Sequence, residues 1–289
     1  MAMAMGAASN SIVHMMALSY EMGYEDTVNM DFIAQMSQKI PCLVDVKPVG
    51  SHYLTALEEV GGVPALLGRL AEHLHGECIS VSGQTIRELC EDGKALLAQA
   101  EDSVIRPLKN PIMENGGIVV LRGNLAESAV VRAFPHSKSQ FQGLARVYNT
   151  QEDAIEAVKS GKVQEGDAIV LRFMGPRGGP GMPDCFGVAS AVVGAGLEET
   201  VAVITDGRFS GFARGVGVCQ ICPEAAVGGP LAKVQDGDLI VIDTEQGLLT
   251  DEAEDFISRQ PIPCPQTHEM GILRIYSHIA GPASEGARL

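Results

Sequence analysis

Between Phe173 and Gly217 the chain reads FMGPRGGPGMPDCFGVASAVVGAGLEETVAVITDGRFSGFARGVG, two glycine-rich turns on either side of a short apolar strand. Glycine reaches backbone angles closed to other residues, so turns this dense in glycine lie where the chain must bend sharply or approach itself closely. The first, Gly175 to Asp184, presents a carboxylate; the second, Thr205 to Gly215, presents Asp206, Arg208, Ser210 and Arg214. Between them the pattern predicts a helix over Phe186–Ala195 and a buried strand of β-branched residues over Val201–Ile204. A single turn of this kind is ordinarily a surface feature. Two around one strand, with Asp, Arg and Ser concentrated in them, have the arrangement in which α/β proteins carry their chemistry.

The residue types open several routes. Asp184 can ligate a metal or act as a base, Ser210 can serve as nucleophile or base, and Arg208 or Arg214 can clamp a carboxylate or phosphate. A serine hydroxyl is too weak an acid to act unaided at neutral pH. The nearest histidines in the sequence, His136 and His268, form no recognisable triad with it, and GRFSG lacks the first glycine of a nucleophile elbow. A metal ion is the other means of lowering the serine pKa.

A net charge of −15 argues against a nucleic-acid partner and against anionic membrane surfaces. No segment approaches the ~20 apolar residues of a membrane span. The apolar N-terminus has no Lys or Arg before Lys39, so the charged region of a signal peptide is missing, and a cytoplasmic location is expected. Its abrupt helix, starting near Ser9, is that of a chain beginning in mid-domain. Seven scattered cysteines suit a reducing compartment. Cys219 and Cys222 have CxxC spacing with no second pair to complete a metal knuckle, and read as structural thiols.

Along the first hundred residues helices are expected over Ile12–Met22, from an Asn29 cap to Met36, and over Tyr53–Glu59, Val63–His73 and Thr85–Glu91. Strands are expected over Cys42–Val46 and His75–Val81. This alternation is that of an α/β fold. Lys47 reads as an exposed turn residue, His75 as a partly buried structural one. Composition shifts near Ala100, and Pro107 and Pro111 mark a domain boundary. Beyond it, short strands over Ile118–Leu121, Gly143–Tyr148, Ala168–Arg172, Val201–Ile204 and Leu239–Ile242, with a helix over Gln151–Ser160, predict a β-rich barrel or sandwich with a few helices. Asn124 and Glu127, in GNLAE, read as a capped helix start or as groups turned toward the site.

The segments GPRGGPGMPD, ITDGRFSG, PEAAVGGP and DGDLIVID resemble the dihydroxy-acid dehydratase and phosphogluconate dehydratase family. The earlier segments ASNSIVHMMAL, VDVKPVG, LHGECISVSGQT and GGIVVLRGNLAESAVV, and the closing SEGA, resemble it too, in the same order. The likeness covers only the back half of a family member. It implies that residues 1–109 are the C-terminal part of an α/β, cluster-binding domain and 110–289 a swivelling β-barrel-like domain with a few helices.

The implied activity is removal of water from a 2,3-dihydroxy acid to give a 2-keto acid, in branched-chain amino-acid biosynthesis. A sugar-acid dehydratase acting on an aldonate or phosphogluconate, or a non-catalytic half-copy serving as a scaffold, are the alternatives. The implied cofactors are an iron–sulfur cluster, as Lewis acid on the departing hydroxyl, and Mg²⁺, which polarises the substrate and helps a serine act as base. By the same likeness Ser210 takes the C2 proton, Asp184 ligates Mg²⁺, and Arg208 and Arg214 neutralise substrate charge. Cluster ligands are expected from a missing N-terminal half or separate subunit, with the whole forming a homodimer. Three positions depart from the family pattern: Asp184 stands for the usual Glu, Phe212-Ala213 replaces small and hydroxyl residues, and Ala8-Ser9-Asn10 replaces Ser-Thr-Asn.

Overall fold

Asp167–Leu171 and Ala202–Thr205 are buried along their whole length in the computed structural model, as runs of this composition must be when both faces meet protein. The structure describes residues 1–98, 103–135, 137–209, 215–265 and 270–289. Two compact units divide them. One comprises Met1–Ala7 and Met36–Gly117, the other Ala8–Gln35 and Ile118–Leu289.

The second unit is built on a closed eight-stranded barrel. Its strands are β1 (Ile118–Gly123), β2 (Ala126–Arg132), β3 (Gln140–Tyr148), β4 (Asp167–Leu171), β5 (Ala202–Thr205), β6 (Val216–Cys222), β7 (Leu239–Asp243) and β8 (Leu248–Asp251). They run around the barrel in the order β1-β2-β6-β5-β4-β3-β7-β8. Strands β3, β4, β5 and β6 are mutually parallel, while β1–β2, β2–β6, β3–β7 and β7–β8 pair antiparallel.

Parallel neighbours need crossovers. Helices α7 (Gln151–Lys159) and α8 (Phe186–Gly194) supply two of them, giving β3-α7-β4-α8-β5. Thr150 caps α7 by accepting the Asp153 N–H at 3.1 Å. Alternation along the strands points Ala145, Ala168 and Ala202, in register with one another, into a core shared with Val170, Ile204, Val218 and Leu121. The opposite faces carry Ile169 and Val203, also buried. The same unit holds α2 (Asn10–Glu21) and α9 (Gly271–Ile279).

The first unit contains α1 (Ala2–Met5), α4 (Leu54–Glu59), α5 (Gly62–Arg69) and α6 (Ile86–Leu97); α3 (Met30–Lys39) crosses from one unit to the other. Thr85 and Glu88 close a reciprocal capping box at the start of α6. Asn29 caps α3 as expected, accepting the Asp31 and Phe32 N–H groups at 3.1 Å. Leu43, Val44, Leu57, Leu66, Leu70 and Ile105 form this unit's core. No helix among the described residues is long and apolar enough to cross a membrane.

The α/β class and the barrel are as the sequence predicts, with local exceptions. Cys42–Val46 forms only isolated bridges, to Met113, Ile105 and His52. His75–Val81 is turn rather than strand, with a lone Ile79–Thr85 bridge, and His75 is exposed. Hydrophobic residues there have no partner strand to pair with, so alternation alone does not make a ladder. Asn124 starts no helix. It sits in the β1–β2 turn, where its side chain donates to the Asp251 carbonyl at 2.7 Å and accepts the Asp251 N–H at 2.8 Å.

That stitch holds an ionisable group in the interior. Asp251 is 2% exposed, and burial, with the charge of neighbouring Asp238, pushes its carboxyl up from 3.8 to about 6. Between those values the folded chain keeps a proton that the unfolded chain has lost, so stability falls as pH rises from about 4 to about 6. Asp251→Asn is expected to raise stability by about 1–2 kcal/mol at pH 8 and to change little at pH 4, measured by thermal unfolding at both values.

Candidate active site at the ends of the parallel strands

In parallel sheets, ligands gather outside the carboxyl ends of the strands, where connections leave in different directions. Both glycine-rich turns of this chain begin there, at the ends of β4 and β5. The end of the neighbouring strand β6 adds a third segment, Pro223-Glu224-Ala225.

Asp206 follows β5 directly and is 0% exposed. Its carboxylate accepts the backbone N–H groups of Met174 at 2.8 Å, Ala225 at 2.8 Å and Phe173 at 3.2 Å. One side chain thus ties together the exits of β4, β5 and β6. Burial raises its pKa, and the three N–H donors work against that by favouring the charged form. Next to it, Gly207 leaves room for close packing: a Cβ there would stand 2.7 Å from Met174 Cβ and 3.0 Å from Cys185 Sγ.

Glu224 does the same for the far side of the first turn. It is 4% exposed and accepts the Arg177 N–H at 2.9 Å and the Gly178 N–H at 2.9 Å. Burial pushes its carboxyl up to about 7. Neither acid was singled out for this role by sequence reasoning. A carboxylate whose partners are all backbone leaves no residue pattern to find, beyond its own position at a strand end.

Asp184 stands at the start of α8, half-buried, with its Oδ1 accepting the Phe186 N–H at 2.9 Å. It forms a parallel bridge with Arg208, in which the Cys185 N–H donates to the Arg208 carbonyl at 2.8 Å. The Arg208 guanidinium turns back to the same turn, Nε donating to the Met182 carbonyl at 2.7 Å. The structure therefore brings Asp184 and Arg208 together. Ser210 and Arg214, with Phe212 and Ala213 between them, lie outside the described residues, as do His136 and His268.

Two other segments converge on the turn before Asp184. Met182 packs with Val13 of α2, Cys222 at the end of β6, and Ala283 and Ala287 near the C-terminus. The start of α2 is held to β6 by Gln220, whose Nε2 donates to the Ser9 carbonyl at 2.8 Å. The motifs ASNS, GMPD and SEGA, far apart in sequence, thus share one end of the barrel.

Neither expected cofactor is accommodated by the described residues alone. Among them no group of three His, Cys, Asp or Glu side chains could hold a metal ion. The thiols are poor cluster ligands: burial pushes Cys185 up to about 12 and Cys219 up to about 11, and raises Cys222 and Cys90 as well. Cys219 and Cys222 are buried core residues, as their isolation in the sequence indicated. For a divalent cation the described residues offer the single carboxylate of Asp184. Lys47 is an exposed turn residue, as its sequence context indicates, with its Nζ 4.1 Å from the Tyr53 ring centroid.

Comparison with known proteins gives a consistent likeness. Residues 103–287 match the family model described as dihydroxy-acid/6-phosphogluconate dehydratase C-terminal, and residues 1–89 match its N-terminal counterpart. A protein of Saccharolobus islandicus named dihydroxy-acid dehydratase is 41% identical over 293 residues, covering 99% of this chain and 52% of its own length. The same figures hold for the protein of that name from Saccharolobus solfataricus. One from Ignicoccus hospitalis is 40% identical over 297 residues, with the same coverage. The chain spans about half the length of the curated relatives it matches.

The hold of Asp206 on three strand exits is open to measurement. Asp206→Asn replaces an acceptor-only group with one carrying N–H donors, set among N–H groups that already converge on it. It is expected to cost about 2–4 kcal/mol, read by urea unfolding at pH 7.

Proposed function

We propose, since this chain belongs to the dihydroxy-acid/6-phosphogluconate dehydratase family, that it supplies the barrel half of a hydro-lyase converting a 2,3-dihydroxy acid to a 2-keto acid. The reading is carried by the joining of Asp184 and Arg208 at the carboxyl ends of β4 and β5, within the segments that match the family. Relatives named dihydroxy-acid dehydratase, similar along 99% of this chain, support it further. Branched-chain dihydroxy acids are the substrates proposed first, because the described residues of the site show no cluster of basic side chains suited to a phosphate ester.

In this reading the chain contributes the proton chemistry. Ser210 follows Asp206 by four residues, on the segment that leaves β5, and its Oγ would accept the C2 proton. Arg208 and Arg214 would offset the negative charge of the substrate carboxylate. Asp184 would be one ligand of a Mg²⁺ ion whose other ligands, like those of an iron–sulfur cluster, come from polypeptide corresponding to the half of the relatives that this chain does not span. No step is assigned to either group, because the described residues do not complete a site for it. Residues 1–109 and 110–289 are proposed as the parts of the two family domains, in a cytoplasmic homodimer once the remaining half is present.

The test is expression of the chain alone and together with the part of the Saccharolobus islandicus relative that lies outside the match. Keto-acid formation and bound iron are then measured. The isolated chain is expected to give no turnover, the pair to give turnover with iron retained, and Ser210→Ala to abolish it. Turnover by the isolated chain would contradict the division of labour. A pair that assembles and holds iron, yet makes no keto acid, would overturn the enzymatic reading.

A further inference from the structure

Glu224 combines two features. It is buried, and it touches the active-site turn only through main-chain donors. Its Oε1 takes the Arg177 N–H, and its Oε2 takes the Gly178 N–H, both at 2.9 Å. Its side chain also lies against Gly175, where an added Cβ would come 2.5 Å from Oε2. The segment Gly175–Gly178 therefore rests on this one carboxylate.

From that contact a continuous ladder of hydrogen bonds runs to Asp184. Gly179 N–H donates to the Gly175 carbonyl at 2.9 Å, and Met182 N–H to the Gly179 carbonyl at 2.7 Å. The Met182 carbonyl accepts from Arg208 Nε at 2.7 Å, and the Arg208 carbonyl accepts the Cys185 N–H at 2.8 Å. Asp184 is the residue before Cys185, and its carboxylate is fixed by the Phe186 N–H at 2.9 Å. Pro176, Pro180 and Pro183 limit the backbone freedom of the first turn, and the step from Met182 to the second turn runs through the Arg208 side chain.

We propose that Glu224 is a positioning residue for Asp184, its buried carboxylate setting, through this ladder, where the Asp184 carboxyl stands. The inference rests on the reading of Asp184 as a site residue. It extends that reading to a group which touches neither substrate nor cation. Glu224 has two ionisation states, and they differ in what its oxygens can accept from the turn. The ionised form accepts both N–H groups, whereas the protonated form loses acceptor strength on one oxygen.

The surroundings place this change near neutral pH. Burial raises the Glu224 pKa to about 7, with the Asp206 charge adding to the rise and the Arg177 charge opposing it. The cleft beside it, of about 350 Å³, is also lined by Glu127 of β2, Cys222 of β6 and Glu285 of the C-terminal turn. Arg177 is the one cation lining that cleft among the described residues.

An NMR pH titration of the ¹⁵N-labelled chain, from about pH 5 to pH 9, tests the proposal without any need for turnover. The Arg177, Gly178 and Phe186 amide signals are expected to move with one shared midpoint near 7. In Glu224→Gln that shared step should vanish, and in Glu224→Asp it should return with an altered midpoint. If Arg177 and Gly178 titrate while Phe186 stays still, Glu224 holds only its own turn and the proposal is wrong. A titration that leaves all three unmoved overturns it equally. Should the Gln variant fail to fold, the wild-type titration decides alone. Whether Asp184 takes a cation is read separately, by Mn²⁺ broadening of the Phe186 signal, so either reading can fail without the other.

Discussion

Five backbone N–H groups at one end of the barrel point at two buried carboxylates. Asp206 holds Phe173, Met174 and Ala225, and Glu224 holds Arg177 and Gly178. Removing a carboxylate from water is costly, and only several well-formed hydrogen bonds to the charged form offset the loss. The same bonds satisfy donors that glycine- and proline-rich turns cannot pair with one another. Each side therefore makes the other tolerable, and the turns stay in place without a regular secondary structure of their own.

The barrel makes this arrangement possible. Four parallel strands, β3 to β6, bring three chain exits side by side, and the closed order leaves no sheet edge near them. Because β5 lies between β4 and β6, Asp206 at its end stands beside both neighbouring exits. Asp184 and Arg208 are joined by consequence, since the turns that carry them are held to the same strand ends. A site made in this way is only as well placed as its supporting shell, which here is main chain held by acids rather than side chain packed on side chain.

The family likeness and the geometry bear on different questions. The matches over residues 1–89 and 103–287 say which proteins this chain resembles, and the shared coverage of 52% says how much of such a protein is present. The geometry says how the matched segments are arranged: a backbone bridge joins the turns that carry Asp184 and Arg208. Among the described residues, burial raises the pKa of Cys185, Cys219 and Cys222, which disfavours their thiolate forms.

Much of the frame was legible in the residues themselves. The β-branched runs that became β1, β4, β5 and β7 and the capped helix α7 follow from local patterns that tertiary packing did not overrule. Strand β2, AESAVVR, was missed because Ala and Glu favour helix and an Asn two residues earlier mimics a cap; β6 because Gly217 and two cysteines weaken its strand signal; β8 because four residues are too few to show a period. The sequence by itself determined the class of fold, the two glycine turns and the kind of chemistry their polar residues offer. Tertiary structure alone decided that Ala8–Gln35 packs with the barrel, that Asp184 lies against Arg208, and that Asp206 and Glu224 hold the frame. The reason is that their partners are backbone N–H groups, which every residue but proline carries, so only the path of the chain selects among them.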